Sequence, residues 1–303
     1  MTIRIGTRTS RLAIKQAEEV ACLLNKFYPD IETHLVHINT TGDKLQTANL
    51  ALEGGKGLFL KELEEQLIND KIDIAVHSLK DVPIFLPDGL EITCYLEREN
   101  PYDALVSNKY ESLAQLPLGA KVGTSALRRL VHLKQLRPDL NVVPFRGNVN
   151  TRLRKLDEGE VDACVLAYAG LKRVGLEGRI KQLFNLDEMI PAIGQGVICV
   201  QHRTQDARIG ELLKPLNHIP TEQCITAERL FMANLSGSCT TPMGAYGQIE
   251  PVSDSGEESV MTLDAMYYDE RSRKLLYAKS SAAVYDLVVI AEDCSKQIKQ
   301  QLV

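Results

Sequence analysis

Lys121-Val122-Gly123-Thr124-Ser125-Ala126-Leu127-Arg128-Arg129-Leu130 places three kinds of local structure side by side. A short strand-forming run ends at Gly123, a glycine and hydroxyl turn follows, and helical periodicity runs from about 125 to 137. A weaker copy, Gly6-Thr7-Arg8-Thr9-Ser10-Arg11-Leu12, follows a strand expected at 3–6 and opens a helix expected at 10–28. At such a junction the free N–H groups and the positive end of the helix dipole favour carboxylates or phosphates. Flanking hydroxyl and guanidinium groups strengthen that preference. Ordinary strand–turn–helix units with Ser or Thr caps would explain either copy alone. Two copies, one in each of two α/β lobes, point to a cleft that grips anionic groups from both sides.

Working outward, short β-branched runs alternate with helical segments up to about residue 200. Further strands are expected at 32–38, 72–77, 90–95, 104–107, 121–123, 141–145 and 161–166, and further helices near 57–70 and 148–158. Such alternation predicts parallel α/β layers, with Ser10, Ser125 and Asn148 as N-caps. Three breaks interrupt the pattern: Glu97 to Asp103, Pro191 to Gly196, and Asn217 to Pro220. Beyond them come a helix near 221–235, strands at 244–249, 259–268 and 273–280, and a last helix near 284–301. Strands grouped without alternation read as a small α+β unit.

The whole chain has 303 residues, 44% hydrophobic and 25% charged, the balance of a folded globular protein with two or three domains. No apolar run approaches the length of a membrane span, and the opening Met1-Thr2-Ile3-Arg4-Ile5-Gly6 reads as a strand and not an export signal. The expectation is a cytoplasmic protein without membrane contact. Seven cysteines without a Cys-x-x-Cys pair are expected as free thiols, some buried. Residues 121–155 hold nine cations and one anion, a net of +8, while the chain as a whole carries −5. A cationic segment in an acidic protein suits a local anionic ligand better than a long nucleic acid. Only Phe145 interrupts that segment as an aromatic, too few for base stacking.

Several residues could carry chemistry. Ile72 to Pro83 runs from a buried-type strand into a polar turn holding Ser78, Lys80 and Asp81, where ligands of open α/β sheets bind. Asp81 could steady a developing cation or move a proton, and Lys80 could hold a carboxylate; a surface Lys–Asp pair is the plainer alternative. Arg146-Gly147-Asn148-Val149-Asn150-Thr151-Arg152 again joins strand to helix, with arginines suited to fork onto carboxylates. Cys239, between Ser236-Gly237-Ser238 and Thr240-Thr241-Pro242, sits on a tight loop, as a nucleophile, a covalent tether or a bystander. The histidines show no metal-binding spacing, and no metal is expected. Gly54-Gly55-Lys56-Gly57 lacks the spacing of a phosphate loop.

Taken together, these pieces resemble the porphobilinogen deaminase (hydroxymethylbilane synthase) family. The matching blocks are Gly54-Gly55-Lys56-Gly57-Leu58-Phe59, His77-Ser78-Leu79-Lys80-Asp81-Val82-Pro83, Gly123-Thr124-Ser125, Leu127-Arg128-Arg129, Arg146-Gly147-Asn148, Thr151-Arg152-Leu153, Glu228-Arg229 and Leu235-Ser236-Gly237-Ser238-Cys239. The resemblance implies an α/β fold: two lobes like type II periplasmic binding proteins plus a smaller α+β C-terminal domain. The divisions it implies are 1–97 with 194–216, 103–190, and 219–303. It also implies a dipyrromethane cofactor bonded to Cys239, onto whose free end four porphobilinogen units add with loss of ammonia. Hydroxymethylbilane is then released by water. Asp81 is the implied catalytic carboxylate. Ser78, Lys80, Thr124, Ser125, Arg128, Arg129 and Arg146 are implied cofactor contacts, and Arg8, Ser10, Arg152 and Arg173 substrate contacts. The growing chain would bear about twelve carboxylates at six rings, a load matched to the cationic segment. A monomer acting on porphobilinogen, without nucleic acid, completes the expectation.

Ala126, Leu52 and Arg11 depart from the family's common residues and alter individual contacts, not the reaction. The rival of a different class is a non-catalytic anion-binding module of the same architecture, which would release its ligand and have no need of Cys239.

Overall fold

A computed structural model describes residues 1–40, 60–237, 241–251 and 259–302. In chain order the first elements are β1 (Thr2–Arg8), α1 (Arg11–Phe27), β2 (Glu32–Ile38), α2 (Lys61–Ile68), β3 (Ile74–Ser78) and β4 (Leu90–Tyr95). There follow β5 (Asp103–Val106), β6 (Lys121–Gly123), α3 (Leu127–Leu136), β7 (Asn141–Val143), α4 (Val149–Asp157), β8 (Ala163–Ala167), α5 (Tyr168–Arg173) and β9 (Ile180–Leu183). The last are β10 (Ile198–Arg203), α6 (Ala207–Leu213), α7 (Ile219–Asn234), β11 (Met243–Pro251), β12 (Ser259–Asp269), β13 (Lys274–Ala283) and α8 (Leu287–Gln301). By internal contacts the chain divides into two units, Met1–Glu99 with Val197–Glu222, and Asn100–Gly196 with Gln223–Val303.

The first unit is built on a five-stranded sheet of order β2-β1-β3-β10-β4. Strand β1 runs parallel to β2 and β3, whereas β10 is antiparallel to both its neighbours. Helix α1 buries Ala13, Gln16, Ala17, Val20 and Leu24, a stripe at three- and four-residue spacing. That stripe packs on Ile3, Ile5, Ile74, Val76, Ile198 and Val200, the alternate residues of three strands. At the opposite end of β1, Arg4 donates from Nε to Asp73 Oδ2 at 3.0 Å and from Nη2 to Asp73 Oδ1 at 2.8 Å.

The second unit repeats the plan with the order β7-β6-β8-β5-β9. Here β6 is parallel to β7 and β8, and β5 is antiparallel to β8 and β9. Both faces of this sheet are covered. Leu105, Val122, Leu133, Val165 and Phe184 fill one side, and Ala104, Val106, Phe145, Leu153 and Leu166 the other. This explains why β5 reads as a continuous apolar run after its first residue.

The expectation of parallel layers therefore needs correction in both sheets. The antiparallel members, β5 and β10, each begin just after the chain passes from one unit to the other, at Asn100 and Val197. Neither is joined to its neighbour by a β–α–β connection, so the parallel rule does not bind it.

In the second unit a three-stranded antiparallel sheet, β11-β12-β13, forms a separate layer. Helix α8 buries Ile290, Ala291, Cys294 and Ile298. Glu228 of α7, fully buried, accepts from Gly194 N at 2.8 Å and Gly247 N at 2.9 Å. Gly244 of β11 lies so close to the second lobe that an added Cβ would stand 2.5 Å from Pro191 O and 3.1 Å from Arg128 Cδ. Both contacts join the small sheet to the segment Ile190 to Gly194.

Candidate functional site

In the first unit the site grows from the end of β3. The strand is buried through His77, and the tight turn Leu79–Asp81 follows Ser78 directly. Leu79 is buried and its N–H donates to Val197 O at 3.0 Å. One apolar anchor thus turns the chain and leaves Lys80 and Asp81 half-buried at the strand's carboxyl end. Ser78 Oγ receives Gln16 Nε2 at 2.8 Å. Since β1 and β3 are parallel neighbours, Arg8, the last residue of β1, emerges on the same sheet edge. Ser10 caps α1, accepting from Ala13 N at 3.3 Å.

His77 connects these groups. Its Nε2 lies 2.9 Å from Gln201 Oε1, and Gln201 Nε2 in turn donates to Glu64 Oε1 at 3.1 Å. That direction of bonding assigns the proton to Nε2. Burial pushes the imidazole pKa down to about 4; the charge of Arg8 lowers it further and that of Asp81 raises it. The ring is therefore a neutral group within electrostatic reach of both the nominated carboxylate and the nominated arginine.

In the second unit β6, β7 and β8 are parallel, so the junctions after them share one edge. Thr124 N donates to Val143 O at 3.0 Å, and Thr124 Oγ1 accepts from Ala126 N at 3.2 Å. The N-cap position of α3 belongs to Ala126 and not to Ser125, and no side chain caps the helix. Ser125 Oγ instead accepts from Phe145 N at 3.1 Å. The reason is steric and local: Gly123 packs under the Phe145 ring, where a Cβ would come within 2.5 Å of Cγ, drawing the two turns together. Helix α3 thus starts with its first N–H groups uncapped by a side chain, a donor set suited to carboxylates.

Arg128 and Arg129 are both 5% exposed, so they do not form a solvated helix face. Both converge on Asp103, and Arg128 Nη1 also donates to Ile190 O at 2.7 Å. Arg146 is half-buried beside Gly147, whose φ of 118° lies in the region that favours glycine. Asn148 caps α4 as expected, accepting from Thr151 N at 2.9 Å. Arg152, half-buried on α4, lies within electrostatic reach of Cys164 on β8, whose thiol is pushed up to about 12, chiefly by burial. Arg173 Nη2 donates to Gly196 O at 3.0 Å.

Cys239, Leu52 and residues Gly54 to Gly57 lie outside the described residues. Of the other six cysteines, five are buried and Cys22 is exposed, all as free thiols. Among the described residues no group of three or more His, Cys, Asp or Glu is placed to hold a metal ion. Nor is any described helix long and apolar enough to cross a membrane. Residue-by-residue reading of the sequence passed over Gln16, His77, Gln201, Gln195 and Asp103, all buried polar groups that organise their neighbours. Asp103 had one signal, an acidic residue set directly before an apolar strand.

Hydroxyls, guanidinium groups and uncapped helix N–H groups at strand ends fit a ligand rich in carboxylates. Two five-stranded α/β sheets bear them, and a separate three-stranded antiparallel sheet accompanies them, which makes this a mixed α/β protein. Residues 3–211 match the family model described as porphobilinogen deaminase, dipyromethane cofactor binding domain, and residues 222–302 match its C-terminal domain. The chain belongs to the porphobilinogen deaminase family, and it is a transferase with dipyrromethane as its cofactor.

Among relatives, the porphobilinogen deaminase of Ehrlichia canis (strain Jake) is 50% identical over 82% of this chain and 83% of its own. That of Albidiferax ferrireducens is 46% identical over 94% and 88%. That of Xylella fastidiosa is 51% identical over 82% and 81%. A solved nutrient-binding protein from Burkholderia cenocepacia, bound to methionine, is similar with a TM-score of 0.45 at 15% identity, covering 70% of this chain and 90% of that one.

Proposed function

We propose that this enzyme joins four porphobilinogen molecules into hydroxymethylbilane with Asp81 as its catalytic carboxylate and Cys239 as the covalent anchor of the cofactor. When bound, dipyrromethane would supply a nucleophilic pyrrole carbon as the primer for chain growth. Asp81 accepts hydrogen bonds from pyrrole N–H groups and meets the positive charge that develops as ammonia departs. Its half-buried place in the turn beyond β3 supports that role, since a carboxylate stabilises a cation more strongly where water is partly excluded. Neutral His77 beside it adds no competing charge. Lys80, Thr124, Ser125, Arg128, Arg129 and Arg146 hold acetate and propionate groups of the cofactor, with Ser78 at the end of β3. Arg8, Ser10, Arg152 and Arg173 hold those of the substrate.

The observation that carries this reading is the position of the Asp81 turn and the arginine-bearing junctions at strand ends within the segment that the cofactor-binding domain model matches. We assign three domains, 1–97 with 194–216, 103–190 and 219–303, a division supported by the three separate sheets. A cytoplasmic monomer without membrane or nucleic-acid partners completes the reading; its free thiols favour a reducing compartment. Intact-mass measurement of the purified chain tests the tether. The expected mass exceeds that of the polypeptide by one dipyrromethane, and the excess disappears in Cys239→Ser. A bare polypeptide mass in active enzyme overturns the assignment.

A further inference from the structure

One carboxylate organises the cationic start of α3. Asp103, the first residue of β5, has no exposed surface. Its Oδ1 takes two hydrogen bonds, from Arg129 Nε at 2.8 Å and Gln195 Nε2 at 3.0 Å, and Arg129 Nη2 forms an ion pair with it at 2.8 Å. Arg128 Nη2 forms an ion pair with Oδ2 at 2.7 Å. Arg129 Nη1 reaches across to Val165 O at 3.0 Å. Consecutive helical residues point about 100° apart, so the convergence of both guanidinium groups is imposed by their shared partner.

Two cations against one anion leave a single positive charge in excess, in a place where burial penalises charge. An unbalanced buried cation is costly, and an external carboxylate is its natural complement. Helix α3 opens here with no side-chain cap, so its N–H groups add to the same preference.

We propose that Asp103 is a positioning residue for a carboxylate seat at the start of α3. It holds both guanidinium groups in place and cancels one of their two charges, so that the seat takes one incoming carboxylate. The inference rests on the reading above, in which Arg128 and Arg129 face the ligand.

The test uses the full chain, purified as produced. In Asp103→Asn the fraction carrying the cofactor mass falls at least about fivefold, because the arginines lose alignment. Asp103→Asn/Arg129→Gln also loads poorly but restores a single excess charge. Inorganic phosphate then separates charge from mere folding: it raises the thermal midpoint of Asp103→Asn at least about threefold more than that of the double variant. Wild-type loading in Asp103→Asn, or equal phosphate responses in these two variants, overturns the proposal. Should Asp103→Asn fail to fold, Arg129→Gln, whose cluster is neutral, replaces it in the comparison. The double variant must then respond more strongly to phosphate, and equal responses refute the charge role. A wild-type chain lacking the cofactor mass sinks the tether reading alone, while the phosphate comparison still decides the role of Asp103.

Discussion

Gln16 and Ser78 are joined side chain to side chain: the Gln16 amide donates to the serine hydroxyl at 2.8 Å and links the buried stripe of α1 to the end of β3. Replacing Gln16 by Met keeps the apolar packing and removes the amide. The expected cost is about 1 kcal/mol in urea unfolding, with a rise of several-fold in KM and little change in kcat. A fall in kcat at unchanged KM would speak against a positioning role for this pair.

Asp81→Ala is expected to lower turnover by about a hundred- to a thousandfold, the range lost when one charge-stabilising group is removed. The residue is half-buried and outside the core clusters, so circular dichroism and the unfolding midpoint should stay near those of the wild type. Near-normal turnover in the folded variant would remove Asp81 from the chemistry.

Arg146→Leu and Arg152→Leu should stall elongation more than initiation, because the number of carboxylates to be held grows with each unit added. Intact masses taken during turnover should show short enzyme-bound chains accumulating. An unchanged distribution of intermediates would deny these arginines a role in holding the growing chain.

His132 offers a prediction about acid. Its ring is 1% exposed, lies 6.4 Å from the Tyr277 ring, and Nε2 has no hydrogen-bond partner among the described residues. Burial first, and then the charge of Arg128, push its pKa down to about 3, with Asp103 acting the other way. Near neutral pH the ring is uncharged folded or unfolded. Below about 6.5 only the unfolded chain takes up the proton, so stability falls with pH until the folded ring also titrates. His132→Phe should therefore match the wild type at pH 7 and keep about 2 kcal/mol more of its stability at pH 5. Urea unfolding at the two pH values measures this, and parallel losses in both proteins would refute it.

The strand–helix alternation was legible because buried strands here are short β-branched runs and α1 carries a clean apolar stripe. The two strands passed over were illegible for different reasons. In β9, Ile180-Lys181-Gln182-Leu183, the run is short and half-exposed. In β10 a buried Gln201 and His202 break an otherwise apolar pattern, and both are tolerated only because Glu64 and Thr93 supply partners from elsewhere in the unit. Arg128 and Arg129 show the same limit at the site. Their type and spacing pointed to anions, whereas their burial depends on Asp103, some 25 positions away and beyond any pattern local to α3.

Gly244 carries one more consequence. Because its backbone abuts Pro191 O and the Arg128 stem, the seam between the small sheet and the second lobe has no room for one added carbon atom. Every other amino acid brings that atom. The position therefore has no neutral alternatives to drift through, and a substitution there would disturb, in one stroke, both the footing of an arginine and strand β11.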